Sequence, residues 1–259
     1  MLLIPVLIIL AFLPSIFWFF VFLHEEKFDP IPKKLIFKMF ILGGISGLVA
    51  AIFELLLIFL FPKGTSEYFN QIGPKSITDS LAFWMILATV IFAAIEEILK
   101  IYVVKWFAYD KLEFNQVVDG AILGVSAGLG FATLENLGYF TGTLLTTGIV
   151  GLFLVFIVRF LASTLLHALT TGISGYYLGK AKFSTKKFVF KEGLIAAILI
   201  HATFNILILT GSLVGLLLDI FLLISVFIFL MRKMESSEAQ TIWKLVYFRR
   251  TKSAPSTQI

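Results

Sequence analysis

The sequence predicts an all-α, polytopic membrane helix bundle of about seven transmembrane helices, and three observations predict it. Hydrophobic residues make up 59% of the 259-residue chain and charged residues only 14%, where a soluble domain carries roughly 25% charge. Mean hydropathy is +1.00. Seven separate stretches are apolar over about 20 residues, the length that crosses roughly 30 Å of hydrocarbon. A soluble enzyme, a nucleic-acid binder and a disordered scaffold are excluded, because so few charges cannot keep a surface hydrated. The chain has no Cys, which removes disulfides, thiolate catalysis and Cys-ligated zinc.

The first span is expected at Leu3–Leu23; with no basic residue before Lys27 and no small-residue cleavage site, it reads as a retained helix rather than a signal peptide. The second, Leu35–Phe61, carries a solitary Glu54, and the third, Leu81–Phe107, carries Glu96, Glu97 and Lys100. The fourth, Val118–Phe140, carries Phe131, Glu135 and Asn136, and a Thr/Gly stretch at Thr141–Gly148 is expected to be a loop. The fifth, Val150–Leu178, holds Arg159 and His167; the sixth, Gly193–Leu209, holds His201 and Asn205. The seventh, Leu213–Met231, carries a solitary Asp219. Glu54 and Asp219 are read as structural.

Basic residues orient the set. Loops His24–Lys34 and Lys180–Lys191 hold three and five Lys, and the tail from Arg232 holds six Lys or Arg. The alternate loops hold two, none and none. The N-terminus is therefore expected outside and the C-terminus in the cytoplasm, so the formal charge of +5 reports topology and not nucleic-acid binding. The expected domains are a seven-span membrane domain at 1–231, with a catalytic core near 80–210, and a basic cytoplasmic tail at 232–259. That tail, with Trp243, Tyr247 and Phe248 among its basic residues, reads equally as a segment lying on an anionic leaflet or as a disordered extension.

Charged side chains inside a span cost at least ~2.5 kcal/mol each, so each needs a partner or a function. Residues three or four apart share a helix face, which lets Lys100 reach both Glu96 and Glu97 and sets His201 beside Asn205. Two adjacent carboxylates resist ionising together at low dielectric; pairing with Lys100 favours the charge on one and leaves the other as a candidate general base. Gly120, Gly124, Gly128, Phe131 and Glu135 form one stripe whose glycines admit a close neighbour. Each element alone has a plain structural reading: a buried ion pair, a satisfied histidine, a packing stripe. Their co-occurrence on four successive spans, with two of the chain's three His at mid-membrane, points instead to a metal-assisted hydrolase. Neutral imidazoles with a carboxylate are a usual catalytic zinc set, here His167, His201 and Glu135, with Glu96 or Glu97 taking a proton from water. Iron, cobalt and manganese suit the same ligands, and a metal-free glutamate mechanism with His donors to an oxyanion uses the same side chains.

Three patterns of other intramembrane proteases do not hold up. His24 and Glu25 begin like HExxH, but the fifth residue is Phe28. Gly172, Ser174 and Gly175 fit the GxSG of rhomboid proteases, yet that reading leaves the paired Glu and His167 idle. Tyr109 and Asp110 match the YD of presenilin-type proteases but sit in a loop without a GxGD.

In this order and spacing, Glu96-Glu97-x-x-Lys100, Gly130-Phe131-x-x-x-Glu135-Asn136, Arg159 followed by His167, and His201-x-x-x-Asn205 resemble the PrsW family of intramembrane proteases over roughly residues 80–210. That family is related to the CAAX prenyl endopeptidases and their bacterial relatives, where the equivalent of Glu135 in an FxxxH motif is His. The resemblance implies hydrolysis of peptide bonds in membrane-protein substrates within the lipid bilayer, in bacteria a single-span anti-sigma factor. The competing functions are an ion- or proton-coupled transporter, which would favour two related halves with interrupted helices, and a non-catalytic relative that binds membrane partners. One mismatch stands: at 1.5 Å per residue, Glu96, His167 and His201 lie roughly 15–18 Å from the cytoplasmic helix ends and Glu135 about 25 Å, so a kink at Gly128 or Gly130, or a tilted fourth helix, is expected if Glu135 joins them.

Overall fold

Hydrocarbon offers the backbone no hydrogen-bond partner, so a spanning chain pairs its peptide groups within each helix. The computed structural model describes residues 3–23, 30–58 and 79–252, and among the described residues there is no strand. The helices are α1 (Leu3–Leu23), α2 (Lys33–Ile58), α3 (Asp79–Phe107), α4 (Val117–Val158), a π-helical turn (Arg159–Ser163), α5 (Thr164–Lys182), α6 (Val189–Leu209) and α7 (Leu213–Lys252). His24, Glu25 and Glu26, the loop Pro62–Thr78 and the last seven residues of the tail lie outside the described residues.

Six helical runs have the length and hydropathy of a span, but one of them, Val117–Lys182, contains 66 residues. That is about 100 Å of helix, three times the hydrocarbon thickness. It turns back on itself at Gly148, whose φ of 71° and ψ of −161° leave helical geometry. Gly120 then meets Gly175, Gly124 meets Thr171 and Gly128 meets His167, an antiparallel register centred on Gly148. Counted as two, this run brings the bundle to seven spans.

The expected loop at Thr141–Gly148 is instead the last part of the first limb. Its threonines satisfy their hydroxyls on the helix itself: Thr141 donates to the Leu137 carbonyl at 2.7 Å, Thr146 to Gly142 at 2.9 Å and Thr147 to Thr143 at 2.9 Å. A polar composition that bonds to its own preceding turn does not interrupt a helix. α7 likewise runs on to Lys252, well past the expected span end at Met231.

α4 is the central helix and packs on α1, α2, α3, α5 and α7. Its buried hydroxyls fasten it to its neighbours: Ser126 donates to the Ile36 carbonyl of α2 at 2.7 Å, and Ser15 of α1 donates to Leu129 at 3.1 Å while accepting from Thr133 at 2.7 Å. On the outer faces large apolar side chains such as Phe20, Phe37, Trp106 and Phe221 are exposed, as lipid contact requires. At the end carrying the Lys180–Lys191 loop, Asp119 caps α4 by accepting from the backbone N–H of Asn115 and Gln116 at 2.8 and 2.7 Å. Lys182 closes the α3–α4 turn by donating to the carbonyls of Tyr109 and Phe114. In that turn, partial burial and the Asp110 carboxylate push the Tyr109 hydroxyl above its ordinary value.

Candidate active site

Four helices carry the polar residues singled out above, and packing brings most of them to one place. α3 supplies Glu96, Glu97 and Lys100. The close α4–α5 contact depends on glycine: a Cβ on Gly124 or Gly128 would strike the carbonyl of Thr171 or His167. This contact sets His167 against Phe131, their rings 5.3 Å apart, while α6 brings in His201, whose ring stands edge-on to His167 at 5.1 Å.

Glu97 is the hub. Fully buried, its Oε1 accepts from Lys100 at 2.6 Å, Thr170 at 2.9 Å and His201 Nδ1 at 2.7 Å, and its Oε2 accepts from Thr171 at 3.3 Å. Glu96 is the opposite case. Its Oε2 is buried with no hydrogen-bond partner, although Lys100 Nζ, His167 Nδ1 and His201 Nε2 stand 3.5, 3.8 and 3.9 Å away. Lys100 Nζ also lies 3.0 Å from His167 Nδ1 and 4.6 Å above the Phe131 ring.

Glu135 joins the cluster without a kink, since Gly148 is where α4 leaves helical geometry and the backbone stays helical through Gly128 and Gly130. Glu135 lies about 10 Å beyond the level of Gly128 and His167. Side chains tilt toward the N-terminus of their own helix, so in antiparallel α4 and α5 Glu135 and His167 lean toward each other. Glu135 Oε2 reaches His167 Nε2 at 2.7 Å. The same oxygen accepts from Arg159 at 2.7 Å, and Arg159 Nε donates to Asn136 Oδ1 at 2.5 Å while Asn136 donates to Thr164 at 3.1 Å. Arg159 opens the π-helical turn, a feature often found at functional sites. Trp18 of α1 braces that turn by donating to the Phe160 carbonyl at 2.8 Å. Asn205, one turn beyond His201, is half-buried and has no hydrogen bond to the cluster.

The convergent donor set differs from the one expected. Ligand atoms of Glu96, His167 and His201, not Glu135, lie within 4.8 Å of one another; Glu135 Oε2 is already committed to Arg159 and His167. The group suits a divalent metal on three counts. Each imidazole bonds one ring nitrogen to a carboxylate, His201 Nδ1 to Glu97 and His167 Nε2 to Glu135, and turns the other toward Glu96, the carboxylate–histidine arrangement that orients metal ligands. Glu96 Oε2 is a buried acceptor without a donor. Finally, four carboxyl groups, those of Glu54, Glu96, Glu97 and Glu135, gather here around two basic side chains among the described residues, Lys100 and Arg159, a surplus of acid that suits a bound cation.

Glu54, read from the sequence as structural, comes close to the cluster. It sits on α2, far from any motif, yet its side chain lies beside that of Glu96. The only signal was an acid two turns from Gly47 on one helix face. Thr170 and Thr171 were missed for the same reason: common residues whose role depends on what faces them. Asp219 is buried with both oxygens unpartnered. Ser174, of the GxSG pattern, is buried and donates to the carbonyls of Thr170 and Thr171 at 3.2 and 3.1 Å, which leaves it no nucleophile's geometry toward His201.

Known proteins are similar to this chain. Residues 31–232 match the family described as PrsW family intramembrane metalloprotease. Protease PrsW of Oceanobacillus iheyensis is 33% identical over 224 residues, 85% of this chain and 90% of that protein. Protease PrsW of Geobacillus kaustophilus is 28% identical over 204 residues (78% and 79%), and that of Bacillus subtilis 28% over 187 residues (71% and 74%). No solved structure matches significantly. With an all-helical bundle of bilayer-spanning lengths and a buried Glu/His/His group at its centre, the chain belongs to the PrsW family of intramembrane metalloproteases and is a multi-pass membrane peptidase.

Proposed function

We propose that this peptidase cuts single-span membrane proteins within the bilayer, and that Glu96, His167 and His201 hold a zinc ion for the reaction. The observation that supports this most is the Glu96 carboxylate: its Oε2 is buried and unpartnered, yet it faces a nitrogen of each histidine at 3.8–3.9 Å. Zinc bound there would polarise the scissile carbonyl and acidify a water molecule.

The chain's own residues do the rest. Glu97 and Glu135 fix the ring orientation of His201 and His167, each from the nitrogen turned away from Glu96. Arg159, locked by Asn136, keeps Glu135 in place. Glu135 has the most exposed side chain of the ion-paired group, at 27% against 9% for Glu96 and 0% for Glu97, and it takes the proton of an attacking water entering from that side. Lys100 holds the charge of Glu97. The N-terminus lies outside and the Lys180–Lys191 loop in the cytoplasm.

A second reading is favoured by Lys100, whose ammonium already stands 3.0 Å from His167 Nδ1. In it no metal is needed: Glu96 is the general base, and His167 and His201 donate to the oxyanion. The test is elemental analysis of the purified protein with cleavage of tagged single-span substrates in liposomes. Near-stoichiometric zinc, lost together with activity in a His167→Ala/His201→Ala variant, is the expected result. Full activity after exhaustive chelation would sink the zinc proposal and leave the glutamate mechanism.

A further inference from the structure

The cluster opens along one face of α4, on the Gly148 side of Glu135. Glu135, Tyr139, Gly142 and Thr146 recur at helical spacing and so share that face. Past Glu135, nothing among the described residues covers it: Tyr139 is 52% exposed, a Cβ on Gly142 would meet nothing within 4 Å, and Thr146 is exposed. Arg159 borders the open face from the π-helical turn, where the Thr164 N–H bonds to the Arg159 carbonyl. Such a turn takes up one extra residue. Arg159, eight residues before His167, therefore falls on the same side of its helix as His167. Its guanidinium carbon lies 4.1 Å from the centre of the Tyr139 ring.

A guanidinium has five N–H donors. One of those on Arg159 goes to Asn136 and one to Glu135, and no other acceptor among the described residues meets the rest. Glu135 already balances the charge of Arg159, so a neutral carbonyl oxygen fits the open donors better than a second carboxylate. A substrate helix must unwind before a peptide bond in it can be attacked, and each carbonyl freed in hydrocarbon is strongly unfavourable until it finds a donor. We propose that Arg159 and Tyr139 form a substrate-binding subsite for an unwound, extended stretch beside the scissile bond. The open N–H groups of Arg159 donate to a main-chain carbonyl, and the Tyr139 ring packs on the neighbouring apolar side chain. Arg159 and His167 both touch Glu135 Oε2 at 2.7 Å, and an extended chain advances about 3.3 Å per residue. The subsite therefore holds a residue roughly two or three positions from the bond that is cut. This inference rests on the reading of single-span membrane proteins as substrates and is independent of the metal.

The experiment uses the full-length protein in liposomes with a tagged single-span substrate. With p-benzoylphenylalanine in place of Tyr139 in a Glu96→Gln background, irradiation is expected to join the substrate to the protein close to the cleaved bond. The same probe in place of Phe37 is expected to give no such adduct: Phe37 is 65% exposed on α2, beside the level of Ser126, about 20 Å from Tyr139 along the bundle. In the active protein, Tyr139→Ala is expected to raise KM roughly 10-fold with little change in kcat, which marks lost binding rather than lost chemistry. Tyr139→Phe keeps the ring over Arg159 and is expected to recover most of that loss. Arg159→Lys keeps a positive charge beside Glu135 but loses the fork of donors, and is expected to raise KM as well as lower kcat. An equal adduct from Phe37, or wild-type KM in Tyr139→Ala, would overturn the inference and leave Tyr139 an interfacial anchor. A lower kcat at unchanged KM in both variants would overturn it too, by showing that the pair acts only through Glu135. Absence of cleavage by the wild-type protein would sink the reading of single-span substrates itself, and this inference with it.

Discussion

Glu96 and Glu97 are adjacent and chemically identical, yet a helix turns successive side chains about 100° apart, and this rotation divides their duties. Glu97 meets Lys100, Thr170, Thr171 and His201; Glu96 keeps a bare oxygen. Removing the charge of one should therefore differ from removing that of the other. Glu96→Gln is expected to abolish proteolysis and leave the melting temperature unchanged. Glu97→Gln is expected to lose activity and to destabilise the fold as well, by about 3–5 kcal/mol if the buried Lys100 is left without its main counter-charge. Thermal denaturation in detergent alongside substrate cleavage checks both; a normal melting temperature for Glu97→Gln would show that the hub is dispensable for folding. The pairing of Lys100 with both acids was legible because i,i+3 and i,i+4 contacts depend on one helix alone. The contact of Glu135 with His167 was not. It requires knowing that two helices run antiparallel and that their side chains lean toward each other, which no local spacing contains.

Helix by helix, the glycines of α4 do not do the same work. A Cβ on Gly120, Gly124 or Gly128 would strike a carbonyl of α5, whereas one on Gly138 or Gly142 would meet nothing within 4 Å. Gly124→Ala is expected to push α4 from α5, costing about 1–3 kcal/mol by overpacking and lowering activity by drawing His167 away from Glu96. Gly138→Ala on the same helix is expected to preserve activity and add roughly 0.5–1 kcal/mol through lower backbone entropy in the unfolded state. Equal effects of the two substitutions would refute the close-approach account. The stripe was legible as a packing face because its period matches a helix. The Thr141–Gly148 segment was misread because polarity was taken as a break, although threonine hydroxyls find acceptors one turn back; the true break is the single Gly148.

At the scale of the whole molecule, the alternation of basic and non-basic loops makes a prediction about direction. The chain is Cys-free, so single cysteines report cleanly. Lys186→Cys is expected to resist an impermeant thiol reagent in intact cells and to react after permeabilisation, while Ser212→Cys, in the exposed α6–α7 turn, reacts from outside. The reverse pattern would invert the bundle. The seven-span bundle was legible from composition, because hydrocarbon thickness imposes span length whatever the tertiary contacts. The approach of α2 to the cluster was not, since Glu54 nears Glu96 only through the parallel packing of α2 on α4. The turn at 183–188 is exposed over most of its length, and Phe188 there holds a left-handed φ of 72°. Everything the cluster needs lies before it except His201. A chain severed in that turn would leave two membrane fragments, one carrying all the carboxylates of the cluster and the other a single imidazole, each inert alone. Expressed together they should reassemble through α6 and regain cleavage, making the protein a split enzyme whose activity counts meetings between two pieces in the plane of the bilayer.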